Sequence, residues 1–206
     1  MGSKDEKDKP ERFTVSRRAF LKTTGITSIA ASVVGAAELE AQTGARVIGP
    51  GEVPIQLLVN GKRLDLKIEP RVTLLDAVRT RAGFTGNKRV CDRGTCGACT
   101  MIVDGRAVYG CSTLAVDVVG KQIRTVDGLA SGATLHPVQQ AFCDVDALMC
   151  GFCTPGFIMA SVALFEKHPS ATVEQVKKGL DGNICRCGTF TRILEANMKV
   201  RGVGRA

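Results

Sequence analysis

The chain has 206 residues, 44% hydrophobic and 23% charged, with a formal net charge of +8, no Trp, one Tyr and nine Cys. Scattered charge with so few aromatic side chains excludes the basic, stacking surface of a nucleic-acid binder. Seven basic and four acidic side chains fall in residues 1–22 and the remainder carries about +5, which reads as a solvated face with a modest bias towards an acidic partner.

Residues 1–12 are highly charged and lack an apolar period, which predicts disorder. Ser16-Arg17-Arg18-Ala19-Phe20-Leu21-Lys22 follows, and the run from Gly25 to Ala37 carries no charge. Adjacent arginines ahead of a short, moderately apolar segment have the architecture of a twin-arginine export signal. The apolar run is too short for a stable membrane span; the competing reading is a buried amphipathic helix with two exposed arginines. Small residues at 35–41 permit cleavage after Ala37 or Ala41. Residues 1–37 are thus expected to be leader and signal, 38–51 a linker, and the protein periplasmic.

Ile55–Val59, Asn60-Gly61 and Leu64–Ile68 predict a hairpin around an Asn-Gly turn. Thr73 caps an expected helix over 74–81, with Asp76 near the capping-box position. Cys91, Cys96, Cys99 and Cys111 are then spaced C-x4-C-x2-C-x11-C, the plant-type pattern in which four thiolates hold a [2Fe–2S] cluster. Three ligands converging within so short a loop need backbone conformations that Gly94 and Gly97 permit and a Cβ obstructs. Such a loop also turns N–H groups towards negatively charged sulfides. Structural zinc sites usually show two short cysteine knuckles, a pattern this set fits poorly. Thr100–Val103, Asp104-Gly105 and Ala107–Tyr109 predict a second hairpin, and residues 122–126 a further strand. The sum is a small mixed sheet packed on one helix.

From Gly128 the pattern is helical. Pro137 starts the first helix, and Val138, Ala141, Phe142, Val145 and Leu148 place the ninth cysteine, Cys143, on it as an expected buried free thiol. Cys150, Cys153, Cys185 and Cys187 form a second set, which by spacing alone is compatible with iron, a zinc site or two disulfides. Pro155 begins an apolar run, so the first pair falls at a helix N-terminus, where free N–H groups and the positive dipole end favour thiolates. That helix ends near Lys167 and is apolar nearly all round, as a central bundle member is. Thr172 with Gln175 caps a third helix, and residues 189–200 form a fourth. His136 and His168, each beside a proline, read as capping or surface residues, and neither sits within a cysteine pair as a Rieske centre requires. No G-x-G-x-x-G follows a strand. No catalytic residue is expected on this chain.

Val90-Cys-Asp-Arg-Gly-Thr-Cys-Gly-Ala-Cys-Thr100, Cys150-Gly-Phe-Cys-Thr-Pro-Gly-Phe157 and Asn183-Ile-Cys-Arg-Cys-Gly188 resemble the iron–sulfur subunit of the molybdenum hydroxylases. That family includes xanthine dehydrogenases, aldehyde oxidoreductases, carbon monoxide dehydrogenases and isoquinoline oxidoreductases. The resemblance covers roughly residues 52–200. It implies an α+β chain, with an N-terminal β-grasp plant-type ferredoxin domain at 52–128 and an all-α four-helix-bundle [2Fe–2S]-binding domain at 129–206. It also implies one cluster on Cys91, Cys96, Cys99 and Cys111 and a second on Cys150, Cys153, Cys185 and Cys187. These would pass electrons from a molybdopterin centre on a separate large subunit to an FAD subunit or a c-type cytochrome, the second cluster lying nearer the pterin. The partner's reaction would be oxidation of an aldehyde or N-heterocycle with water-derived oxygen.

By the same resemblance Met149 and Cys187 lie near that pterin. Relatives commonly have Gln where this chain has Met149, whose thioether is at best a weak acceptor, so Met149 is expected to fill space. A rival from another class is a stand-alone ferredoxin-like carrier whose helical domain is stapled by zinc.

Overall fold

Asn60 and Gly61 both take positive φ, 51° and 76°, as a primed hairpin turn requires. They join β1 (Val53–Val59) to β2 (Lys62–Ile68), antiparallel from Val59 opposite Lys62 to Val53 opposite Ile68. Asp104 and Gly105 repeat the device, with φ of 45° and 75°, between β3 (Thr100–Val103) and β4 (Arg106–Tyr109). This computed structural model describes Ser16, Arg18 and residues 48–201. Most of the expected export signal and linker therefore lies outside the described residues.

Thr73 accepts the Asp76 amide at 3.2 Å and starts α1, which runs Leu74–Asp76 and continues as a wider π-helical turn over Ala77–Arg81. β5 (Gln122–Arg124) inserts between the hairpins, parallel to β1 and antiparallel to β3, giving the order β2-β1-β5-β3-β4. The strand is shorter than the predicted 122–126. The Thr125 amide leaves the ladder for the Asn60 side-chain oxygen at 2.9 Å, and a 3-10 turn takes over at Val126–Gly128.

Four helices follow: α2 (Pro137–Asp144), α3 (Thr154–Lys167), α4 (Val173–Leu180) and α5 (Phe190–Val200). His136 caps α2, its Nδ1 accepting from the Val138 amide at 3.2 Å while Gln139 accepts the His136 amide at 3.0 Å. Thr172 and Gln175 make the matching box on α4. The central helix α3 is buried on every side from Gly156 to Ala163, and the Phe157 ring meets Phe190 edge-on at 6.0 Å.

β3 joins the two hydrophobic cores because all four of its residues are buried. Strand alternation sends Met101 and Val103 into the core beneath α1, with Leu57, Leu74, Val78 and Ile123, while Ile102 enters the helical core with Phe142, Phe157 and Met159. From Gly49 onward the described residues form one compact unit.

One expectation is corrected. Cys143 is exposed, not buried. α2 stops at Asp144 and the chain turns at Asp146, whose φ is 52°. At 3.6 residues per turn Cys143 falls on the side of α2 opposite the buried Val138 and Ala141 and so faces solvent, while Val145 still packs against their core.

Candidate redox centres

The first cysteine set is shaped by left-handed backbone. Asp92, Gly94 and Gly97 have φ of 53°, 69° and 70°. These turns aim amides at sulfur: the Gly94 N–H points to Cys111 Sγ at 3.2 Å and the Thr95 N–H to Cys91 Sγ at 3.4 Å. A Cβ on Gly94 would meet Ser112 Oγ at 2.5 Å, so close wrapping as well as torsion requires glycine there. Cys99 and Cys111 are buried, while Cys91 and Cys96 are half-buried. Asp76 and Asp92 both pair with Arg89 at the loop's edge.

The second set spans two helix connections. Cys153 is the N-cap residue of α3, Cys185 is buried, and Cys150 and Cys187 are exposed. The Thr189 amide donates to Cys185 Sγ at 3.4 Å. The buried hydroxyl of Thr154, next to Cys153, has no partner among the described residues, a polar group that an additional acceptor would satisfy.

Within each set the sulfurs lie close enough to perturb one another. Cys91 reaches Cys96, Cys99 reaches Cys111, Cys153 reaches Cys185 and Cys187 reaches Cys150. Two thiolates per iron is the ligation of a four-cysteine diiron cluster. All nine thiols are free, so neither set is disulfide-bonded.

Their acidities complement this arrangement. Hydrogen bonds from the backbone of Arg93, then Thr95, hold Cys91 at about 6. Burial opposes ionisation of Cys185, yet the Thr189 hydroxyl and amide bring it to about 7. Burial pushes Cys99 and Cys153 up to about 12. Each set thus combines a sulfur that ionises near neutrality with one whose thiolate needs an adjacent cation. The residues fit the diiron group.

The two sets are joined by a seam with no local sequence signal. The Ile184 N–H donates to the Cys96 carbonyl at 3.0 Å. Asn183 Nδ2 donates to the Gly97 carbonyl at 2.9 Å and reaches Thr100 Oγ1 at 3.4 Å. The Tyr109 hydroxyl donates to the Gly182 carbonyl at 2.7 Å. Asn183 lies in the quoted Asn-Ile-Cys-Arg-Cys motif, but only the fold reveals its partner 86 residues away.

Met149 does not fill internal space. It is 68% exposed, and Phe152 (56%), Phe190 (48%) and Ile184 (47%), each within three residues of exposed Cys150 or Cys187 in the chain, are exposed as well. Neither histidine joins either set: His136 caps α2 and His168 ends α3.

This fold with its two four-cysteine sets defines a ferredoxin-type electron-transfer protein. Residues 57–131 match the 2Fe-2S iron-sulfur cluster binding domain family, and residues 125–198 match the [2Fe-2S] binding domain family. The aldehyde oxidoreductase iron-sulfur-binding subunit PaoA of Escherichia coli K12 is 38% identical, over 92% of this chain and 90% of its own. The nicotine 6-hydroxylase small subunit of Paenarthrobacter nicotinovorans is 46% identical over 73% and 90%. Among solved structures, quinoline 2-oxidoreductase from Pseudomonas putida 86 superposes with a TM-score of 0.71 at 36% identity, covering 74% of this chain and 95% of that one. The chain belongs to the iron–sulfur subunits of the molybdenum hydroxylases. It is the [2Fe–2S] component of a molybdenum-dependent oxidoreductase whose molybdopterin is on a partner subunit.

Proposed function

We propose that this chain is the electron relay of an exported molybdenum hydroxylase that oxidises an aldehyde or an N-heterocycle. Cys150, Cys153, Cys185 and Cys187 hold the cluster that receives electrons from the pterin side. Cys91, Cys96, Cys99 and Cys111 hold the one that delivers them to an FAD subunit or a c-type cytochrome. Bound [2Fe–2S] clusters supply one-electron redox chemistry. The chain's own residues ligate, direct amides at the sulfurs and exclude water. The relay divides into a ferredoxin lobe at 52–128 and a helical lobe at 129–206, after a leader at 1–37 and a linker at 38–51.

One observation carries this reading. Met149, Phe152, Ile184 and Phe190 are exposed, and each lies within three residues of exposed Cys150 or Cys187 in the chain. Four large apolar side chains left exposed beside two exposed thiols are what a docked subunit would cover. Met149 then contacts the partner near the pterin, and Cys187 is both ligand and contact.

The export reading rests on adjacent Arg17 and Arg18 ahead of the uncharged run from Gly25 to Ala37. Replacing Arg17 and Arg18 with Lys should strand the protein in the cytoplasm, and unaltered fractionation would remove the export reading. The partner reading is tested by affinity purification of the full chain from the periplasm. A molybdenum-containing large subunit should accompany it, and a Met149→Asp variant should weaken that association; an iron-loaded chain isolated alone contradicts it.

A further inference from the structure

Three glycines at the seam between the cysteine loops sit where no side chain fits. A Cβ on Gly97 would lie 2.6 Å from Asn183 Nδ2 and 2.7 Å from the Gly182 carbonyl. On Gly156 it would lie 2.2 Å from the Gly97 carbonyl, and on Gly182 it would lie 2.1 Å from the Tyr109 hydroxyl. Backbones from distant parts of the chain touch here because side chains are missing.

Asn183 is the polar side chain at the centre of this contact. It is 6% exposed, and its own amide donates to the Leu180 carbonyl at 3.0 Å, which ties it to the end of α4. Its Nδ2 donates to the Gly97 carbonyl, which also accepts from the Thr100 amide at 3.0 Å and the Thr100 hydroxyl at 2.6 Å. Residues on either side of these anchors form the sole direct backbone link between the two loops among the described residues: Ile184 N–H to the Cys96 carbonyl. Cys96 belongs to one set and Ile184 immediately precedes Cys185 of the other.

We propose that Asn183 is a positioning residue for electron transfer between the two clusters, holding the Ile184–Cys96 hydrogen bond so that a short covalent path with one hydrogen bond joins Cys185 Sγ to Cys96 Sγ. One electron passes from the Cys185 side, which is oxidised, to the Cys96 side, which is reduced. No bond is made or broken and no proton moves. The inference rests on assigning the two sets as cluster ligands.

The test uses the full-length holoprotein with its partner, reduced by dithionite and examined by low-temperature electron paramagnetic resonance. Wild-type protein should give two signals with mutual spin–spin splitting; fewer than two signals would overturn the ligand assignment itself, and the inference with it. Asn183→Ala should keep both signals and the iron content but reduce the splitting. Thr100→Val, which removes a hydroxyl bound to the same carbonyl, should shift it less in the same direction, and carries the test if Asn183→Ala fails to load. Tyr109→Phe removes a neighbouring seam bond without touching the anchor and should leave the splitting at its wild-type value. Wild-type splitting in a loaded Asn183→Ala, or in a loaded Thr100→Val where Asn183→Ala does not load, would overturn the proposal. So would an equal loss in Tyr109→Phe, because the seam as a whole, and not Asn183, would then set the geometry.

Discussion

Gly156, in the first turn of the central helix, rests directly on the carbonyl of Gly97 in the first cysteine loop, 59 positions earlier in the chain. The helix that begins beside Cys153 therefore abuts the loop that carries Cys96 and Cys99. A methyl at position 156 cannot be absorbed, because what it meets is backbone. Gly156→Ala should destabilise the protein by about 1–3 kcal/mol, as overpacking of a tight contact does, and should lower iron retention in both sets. Thermal unfolding of the holoprotein with iron analysis checks this; unchanged melting would mean that the helix can slide.

Cys96→Ser and Cys187→Ser should each abolish a different one of two paramagnetic signals and leave the other in place. Loss of both in either variant would show that the sets do not load independently.

Phe157 is 1% exposed and meets Phe190 edge-on. Phe157→Ala should cost about 3–5 kcal/mol, the range for emptying an aromatic site in a core. Denaturant unfolding of the holoprotein measures it, and a loss below about 1 kcal/mol would contradict the packing described.

Arg124 forks onto both Glu166 carboxylate oxygens, at 2.6 and 2.5 Å, linking β5 to α3. The Glu166 hydrogen bonds raise the Arg124 pKa despite the opposing effect of burial. Both side chains are about two-fifths exposed, so water screens the pair. A double-mutant cycle with Glu166→Gln and Arg124→Met should give a coupling of about 1 kcal/mol or less that shrinks in high salt. A larger, salt-insensitive coupling would mark the pair as a true strut between the lobes.

Cys143 is exposed on α2. Cys143→Ser should leave iron content and both signals unchanged, and the native thiol should react with a maleimide while the clusters stay intact. Resistance to the reagent would return Cys143 to the interior.

Elements with a local cause were legible in the chain itself. Asn60-Gly61 and Asp104-Gly105 dictate their hairpins by left-handed torsion, and Thr73, His136 and Thr172 start helices by capping. The spacing of Cys91, Cys96, Cys99 and Cys111 pointed to the first candidate site, whereas that of Cys150, Cys153, Cys185 and Cys187 left iron, zinc and disulfides open until the neighbouring motifs were read. What stayed hidden depends on long-range contact. β5 ends early because Asn60, 65 residues away, captures the Thr125 amide. Cys143 differs in kind: the helical period itself places it opposite Val138 and Ala141, on the solvent side of α2. The seam of Gly97, Gly156, Gly182 and Asn183 carries no periodicity or motif that names its partners. Met149 read as filler, yet its surroundings form a surface that only the folded connection exposes.

The central claim is two diiron centres on one chain. Anaerobically purified protein should contain about four irons and four acid-labile sulfides per chain and no zinc, as two [2Fe–2S] clusters require; about two irons with one zinc would contradict it.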